Sequence, residues 1–329
     1  MKPDTAGASV PLTEASGSFP RRIRAYLAER FPLAGYSVLI FSFCSSSQFL
    51  AHALTAADRP VRYDLSTIAA CVTLICIFLH LRIFDDHKDF RDDCRYWPDR
   101  VLQRGVVSLR DLKLLAALAL AVELLLAWQN GTAAVVAVLT AIGFTLLMLR
   151  EFFLGSWLRS RFLLYAGLHL LLMPILALVV FSFSVNRYFW EADRWFWLYS
   201  LVGFFTAFNW EISRKIRVPD DEREGLDTYS RIFGPFGAGW LVLLVRAIDT
   251  GLLILVARHL GLPTWFDTAL VILFLLTGIG FLHFRLRPSA TTAERMATWA
   301  GMYIILFDLL LAFALSLQRG LEFGIQPRT

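Results

Sequence analysis

The sequence predicts an all-α membrane protein, nine transmembrane helices around a central cavity. Three observations lead there. Apolar residues make up 57% of the 329, mean hydropathy is +0.57 and charged residues are only 18%, a balance far from that of a soluble domain. Hydrophobic runs near the roughly 20 residues that a helix needs to cross ~30 Å of hydrocarbon recur along the chain. Basic residues gather in alternate connections between those runs.

Residues 1–20 are rich in Ser, Ala, Thr, Gly and Pro, lack the apolar stretch of a signal peptide and are expected to be disordered. Residues 19–31 set Arg21, Arg22, Arg24 and Arg30 against Ile23, Tyr26 and Leu27, which reads either as a short amphipathic helix on an anionic leaflet or as a basic anchor. Residues 1–32 therefore form a leading segment. A single domain over 33–318 follows, with spanning runs at 33–56, 65–84, 109–128, 132–150, 161–184, 195–213, 236–257, 265–284 and 297–318. The seventh run is interrupted by Arg246 and Asp249, which at i,i+3 are expected to neutralise each other. Residues 319–329 are left as a short outer tail.

Orientation follows from the cations. With the N-terminus inside, 24 of the 32 Lys and Arg residues fall on inner segments, seven on outer ones, and Arg246 within a span. The bias predicts a multi-pass protein of a bacterial inner (plasma) membrane, N-terminus cytoplasmic and C-terminus outside. The net charge of +5 is explained by this topology, and no aromatic-basic module points to nucleic acid. Cys44, Cys71, Cys76 and Cys94 have no paired spacing, and the three in apolar runs read as small buried hydrophobes rather than a disulfide or zinc site.

The chemistry concentrates in Arg82–Ser108, where Asp85, Asp86, Asp89 and Asp93 follow the second apolar run. Positions 86, 89 and 93 are three and four residues apart, so a continuing helix would stack their carboxylates on one face. Such a face repels itself unless it meets cations, and hard oxygen ligands suit Mg²⁺, which completes its octahedron with water and substrate phosphates. Lys88, Arg91, Arg95, Arg100 and Arg104 are interleaved with the acids, as a diphosphate would require. A solvated mixed-charge loop between two spans is the plainer alternative.

This segment resembles the first aspartate motif of the UbiA-type intramembrane prenyltransferases, N-D-x-x-D-x-x-x-D followed by D-R-P-x-x-x-G. Here it reads Asp85-Asp86-x-x-Asp89-x-x-x-Asp93, then Asp99-Arg100 and Gly105, with Asp85 in place of Asn and Val101 in place of Pro. Nine spans and acidic loops after the second and sixth also match, over nearly the whole chain. The second motif diverges. Glu211, Arg214, Gly225 and Thr228 fit the family pattern and Glu222 replaces its later Asp, but Lys215 and Val218 stand where metal-binding aspartates are expected. An ordinary helix pair explains Glu211 with Lys215 equally simply, and a solvated turn explains Asp220, Asp221 and Glu222 after Pro219.

The resemblance implies a prenyltransferase, an enzyme transferring alkyl or aryl groups other than methyl. It would move a prenyl group from a prenyl diphosphate to an acceptor of unknown identity, small or lipid, in the bilayer. Asp86, Asp89, Asp93 and Lys215 would be catalytic. Asp85, Asp86, Asp89, Asp93, Glu211, Asp221 and Glu222 would hold Mg²⁺, and Arg100, Arg150, Arg214 and Lys215 would bind the diphosphate. His169, four residues after Tyr165, reads as an acceptor-cavity residue or a hydrogen-bonded core histidine; Asp308 and Glu123 receive no role. Two alternatives remain: a cation-cyclising terpene synthase of the same fold, and a non-enzymatic transporter that binds a divalent ion. A CDP-alcohol phosphotransferase is disfavoured, because its Gly after the second Asp and its Ala-Arg pair do not occur between Asp85 and Asp93.

Overall fold

The computed structural model describes residues 17–56, 58–222, 225 and 227–324. The expected disorder over 1–16 and the end of the tail, 325–329, lie outside the described residues. The first helix, α1 (Phe19–Arg30), starts with Pro20 in its first turn, where a missing N–H costs nothing. It does not lie free on a leaflet. Ile23 and Tyr26 are buried in a cluster with Leu79, Ile83, Val101 and Leu102, so its apolar stripe is spent on the protein.

The long helices are α2 (Leu33–Thr55), α3 (Leu65–Lys88), α5 (Leu109–Asn130), α6 (Thr132–Leu149), α9 (Leu172–Val185), α10 (Arg194–Ser213), α11 (Tyr229–His259), α12 (Thr264–Leu286) and α13 (Ala290–Arg319); short α4 (Phe90–Tyr96) follows α3, and α7 (Gly155–Arg159) and α8 (Phe162–Leu170) precede α9. Each long helix packs on the next in chain order, and α13 closes back onto α2, which makes a ring. Among the described residues, seven stretches are long and apolar enough to cross a membrane: α2, α3, α6, α8 with α9, α11, α12 and α13. The predicted runs 109–128 and 195–213 fold as α5 and α10 and take the two remaining places in the ring, outside those seven.

Local chemistry sets the boundaries. Asp64, Ser108 and Ser289 cap α3, α5 and α13 in reciprocal capping boxes with Thr67, Asp111 and Thr292. The fifth predicted span breaks between α8 and α9. Pro174 falls in the first turn of α9, where its ring is tolerated but where it cannot continue α8. On one side of the break α9 is buried almost all round, against α2, α3, α6 and α10, while Leu170 and Met173 at the junction line the cavity. At the far end, β1 (Val61–Tyr63) pairs in parallel with β2 (Leu321–Phe323), tying the tail to the α2–α3 connection.

Arg246 and Asp249 are both buried in α11 but are not an ion pair within 4 Å, contrary to the sequence expectation. The Tyr303 hydroxyl donates to Asp249 at 2.6 Å, and the Arg246 guanidinium lies 5.0 Å from the centre of the Tyr303 ring. A tyrosine from α13 thus stands between the two charges. The four cysteines are free thiols, Cys44 buried and Cys71, Cys76 and Cys94 partly exposed.

Candidate active site

The acidic stretch begins as the last turn of α3, but the helix does not run straight through it. Asp89 leaves helical geometry at φ −94° and ψ 7°, and α4 restarts at Phe90; Asp86 and Asp93 still face one guanidinium, that of Arg30, at 2.5 and 3.8 Å, while Asp89 pairs with none among the described residues. Asp86 points inward and is 1% exposed. Its Oδ1 accepts from Arg30 at 2.5 Å and from Arg82 at 2.6 Å, and its Oδ2 accepts from the Tyr26 hydroxyl at 2.7 Å. Burial and the Asp86 charge hold the Tyr26 phenol far above its ordinary pKa. Asp93 accepts from Arg100 at 2.6 Å, with Arg30 a further 3.8 Å away. Arg100 also stacks over Trp97 at 4.6 Å, and burial beside Arg30 pulls its pKa down.

Asp89 is the exception. Among the described residues its carboxylate accepts no side-chain or backbone hydrogen bond and has no ion pair within 4 Å. Its pKa is pushed up to about 6, chiefly by burial and further by repulsion from Asp85, Asp93 and Glu151, against the pull of Lys88. Asp85, beside it, is 38% exposed, and Lys88 reaches it only at 3.5 Å. Glu151 arrives from the connection after α6, where Glu151, Phe152 and Phe153 all take left-handed backbone angles, φ 49°, 54° and 60°. Three such non-glycine residues in a row cost about 1–2 kcal/mol each. Arg159 clasps the Glu151 carboxylate at 2.8 Å, and Gly155 leaves that carboxylate its place, since a Cβ there would fall 2.1 Å from Glu151 Oε2 and displace it.

The second acidic segment meets the first. A Cβ on Gly225, at φ +82°, would stand 2.8 Å from the Tyr96 hydroxyl of α4, so the two loops touch. Glu211, at the end of α10, is clasped by both Arg214 and Lys215, the latter at 2.7 Å, the i,i+4 contact of the plainer helix-pair alternative. Glu222 accepts from Thr228 at 2.6 Å, while Asp220 and Asp221 are exposed in a 3₁₀ turn. Between the segments lies α8. Lys215 sits 5.1 Å from the Phe162 ring centre, and Tyr165 is 3.2 Å from Lys88. His169 is hydrogen-bonded at 2.8 Å to the Tyr165 carbonyl, in keeping with the core reading. Arg150 caps α6 with its side chain exposed.

Inward from these loops runs a cavity of about 500 Å³. Tyr36, Trp210 and Glu211 line its mouth, Phe78 and Met173 its wall, and Tyr199 and Asp308 its floor.

Among the described residues, no group of three or more His, Cys, Asp or Glu side chains is placed to hold a metal ion. Mg²⁺ needs less of the protein, one or two carboxylates, and takes the rest of its shell from water and phosphate. Asp89 with Asp85 fits that demand: a half-buried carboxylate without a partner, among like charges, gains from a cation. Asp86, Asp93 and Glu211 fit it poorly as they stand, since guanidinium or ammonium groups already occupy their oxygens.

By sequence, no protein-family model and no curated protein matches the chain. Solved structures do match. A digeranylgeranylglyceryl phosphate synthase structure aligns with TM-score 0.57 at 15% identity, over 89% of this chain and 98% of that one. A UbiA homologue from Aeropyrum pernix K1 aligns with TM-score 0.59 at 15% identity, over 86% and 97%. A UbiA homologue from Archaeoglobus fulgidus bound to GPP and Mg²⁺ aligns with TM-score 0.55 at 16% identity, over 89% and 99%. The chain has a UbiA-type fold.

Within the UbiA-type fold, several site residues carry no readable sequence signal. Tyr26 and Arg30 lie 60 and 56 residues from the Asp86 they bond, and as part of a basic stretch they looked like membrane anchors. Glu151 was hidden beside Arg150, which drew attention as the cation; a left-handed turn of Glu-Phe-Phe has no compositional cue.

Proposed function

We propose that the chain is a membrane-embedded prenyltransferase that moves a prenyl group from a prenyl diphosphate to an acceptor, with Mg²⁺ as its cofactor. The observation that carries this is Asp89, a half-buried carboxylate without a hydrogen-bond or ion-pair partner among the described residues, in a fold that encloses a largely apolar cavity and whose solved neighbours include one bound to GPP and Mg²⁺. Asp89 and Asp85 would hold the ion, whose chemistry when bound is to neutralise diphosphate charge and so ease its departure.

The chain's own residues do the rest. Arg30, Arg82 and Arg100 present guanidinium groups beside the acids, and Asp86 and Asp93 hold them in place. They can bind phosphate oxygens with paired donors. From the other side Lys215 and Arg214, steadied by Glu211, add charge where a second metal-binding aspartate is absent. As the allylic C–O bond breaks, positive charge develops on the prenyl carbon. Tyr36, Phe78 and Trp210 offer ring faces to it and keep water out.

The test is incorporation of radiolabelled prenyl diphosphates of increasing length into extractable lipid by membranes that contain the protein. Label should appear only with Mg²⁺. No incorporation at any length, or equal incorporation in EDTA, contradicts the reading. Lys215→Ala should lower turnover at least about tenfold while costing only about 0.2–0.5 kcal/mol of stability, the worth of an i,i+4 pair; unaltered turnover would reduce Lys215 to a helix-surface partner of Glu211.

The positive-inside count places the active loops on the cytoplasmic face. Cysteines introduced at Arg91 or Asp220, both exposed, in a background without the native four should resist an impermeant thiol reagent in sealed cells and react after permeabilisation. Labelling in sealed cells would reverse the orientation.

A further inference from the structure

The floor of the cavity is polar, although its walls are not. Asp308 of α13 is 6% exposed and its Oδ1 accepts from the Ser46 hydroxyl of α2 at 2.7 Å. The Tyr199 hydroxyl of α10 stands 2.7 Å from the same Ser46 oxygen and 3.1 Å from that of Ser47. No cation lies within 4 Å of Asp308 among the described residues. Tyr199 and Asp308 thus present a phenol and a carboxylate at the inner end of an apolar chamber, with Ser46 and Ser47 fully buried behind them, and an ionisable group at such depth is expensive unless something uses it. Packing alone does not demand it. A carboxylate offers about four lone-pair sites, and Ser46 with Tyr199 cannot fill them all.

We propose that this floor is the subsite that anchors the acceptor, and that the acceptor is an elongated, largely apolar molecule with a neutral hydroxyl at the end that enters first. The proposal rests on the prenyl-transfer reading for the word acceptor, but its chemistry stands on the floor alone. A hydroxyl donates one hydrogen bond and accepts others, so it can donate to Asp308 and accept from the Tyr199 hydroxyl. An ether of the same shape leaves Asp308 unserved. A carboxylate brings a second negative charge into an apolar chamber without a counter-ion, which is worse. Elongation follows from the helix geometry: Tyr199 at the floor and Glu211 at the mouth are 12 residues apart on α10, about 18 Å at 1.5 Å per residue. A hydroxyl held at the floor is therefore the anchor, and the opposite end of the molecule is the one that faces the diphosphate.

The experiment is displacement of tritiated 4-octylphenol from the full chain in nanodiscs by three matched competitors: 4-octylphenol, 4-octylanisole and 4-octylbenzoate. The phenol should displace at concentrations about tenfold lower than the anisole, and the benzoate should compete worst, since a hydrogen bond to a charged group is among the stronger ones. In Asp308→Leu the phenol and anisole should become equal, and in Asp308→Asn, which keeps an acceptor oxygen, part of the preference should survive. Equal displacement by phenol and anisole in the wild-type chain would overturn the proposal, as would an undiminished preference in Asp308→Leu. The wild-type comparison decides even if the leucine variant fails to fold. Binding of geranyl S-thiolodiphosphate with Mg²⁺ is read on the same discs; its absence would overturn the prenyl-transfer reading while a phenol preference would still establish the hydroxyl subsite.

Discussion

Replacing Asp89 by Asn is expected to lower turnover by at least about 10²-fold, the scale on which a charge aimed at the reacting group is lost, and at the same time to make the apo protein more stable. The two effects have one cause. In the fold the Asp89 pKa rises from 3.8 to about 6, because burial and the carboxylates of Asp85, Asp93 and Glu151 disfavour its charge. Between those values the folded chain binds a proton that the unfolded chain has released, so stability falls as pH rises from about 4 to about 6 and the whole deficit is present above that. Asparagine has no charge to bury. In EDTA, Asp89→Asn should therefore raise the thermal midpoint in detergent at pH 7.5 and leave it unchanged at pH 4. A lower midpoint at pH 7.5 would mean that Asp89 has a partner and is not waiting for a cation.

Asp86 should behave in the opposite way. Its two oxygens serve Arg30, Arg82 and Tyr26, so Asp86→Ala strands two guanidinium groups and a phenol in a nearly closed space. Breaking a buried pair from one side costs about 3–5 kcal/mol, and the lower end applies because Arg82 keeps 30% of its side-chain exposure. The variant should lose stability and α1 docking together, with hydrogen exchange rising over α1. Were Asp86 instead a metal ligand, Asp86→Ala would stop turnover and leave the midpoint of the metal-free protein untouched.

These opposed expectations for residues three apart show where sequence reading reached its limit. The spans were legible because apolar runs of fixed length have few other uses in a chain this hydrophobic. The acidic segment was legible as well, since the spacing of Asp85, Asp86, Asp89 and Asp93 is written in the chain. What the spacing could not say is which of them is free. That depends on Arg30, brought across by the docking of α1 through Ile23 and Tyr26, and on the small departure from helical angles at Asp89 itself. Periodicity puts Asp86 and Asp93 on one side, where Arg30 meets both, but it cannot say that Asp89 between them is left without a partner. Likewise Arg246 and Asp249 have favourable i,i+3 spacing, yet Tyr303 from another helix offers Asp249 a 2.6 Å hydrogen bond and Arg246 an aromatic face. In both places a partner distant in sequence took precedence over a local pairing. The same holds for Asp308, whose meaning came only from the Ser46 and Tyr199 hydroxyls that two other helices bring to it.

The most direct test of the central claim, that Asp89 with Asp85 holds the cation on which diphosphate binding depends, is equilibrium binding of tritiated geranyl S-thiolodiphosphate to the full chain in nanodiscs at pH 7.5. Wild type and Asp89→Asn are compared with Mg²⁺ and with EDTA. The account predicts saturable binding by the wild-type chain in Mg²⁺, and its loss both in EDTA and in the Asp89→Asn variant. Binding of equal affinity that persists in EDTA, or in Asp89→Asn with Mg²⁺ present, would contradict it.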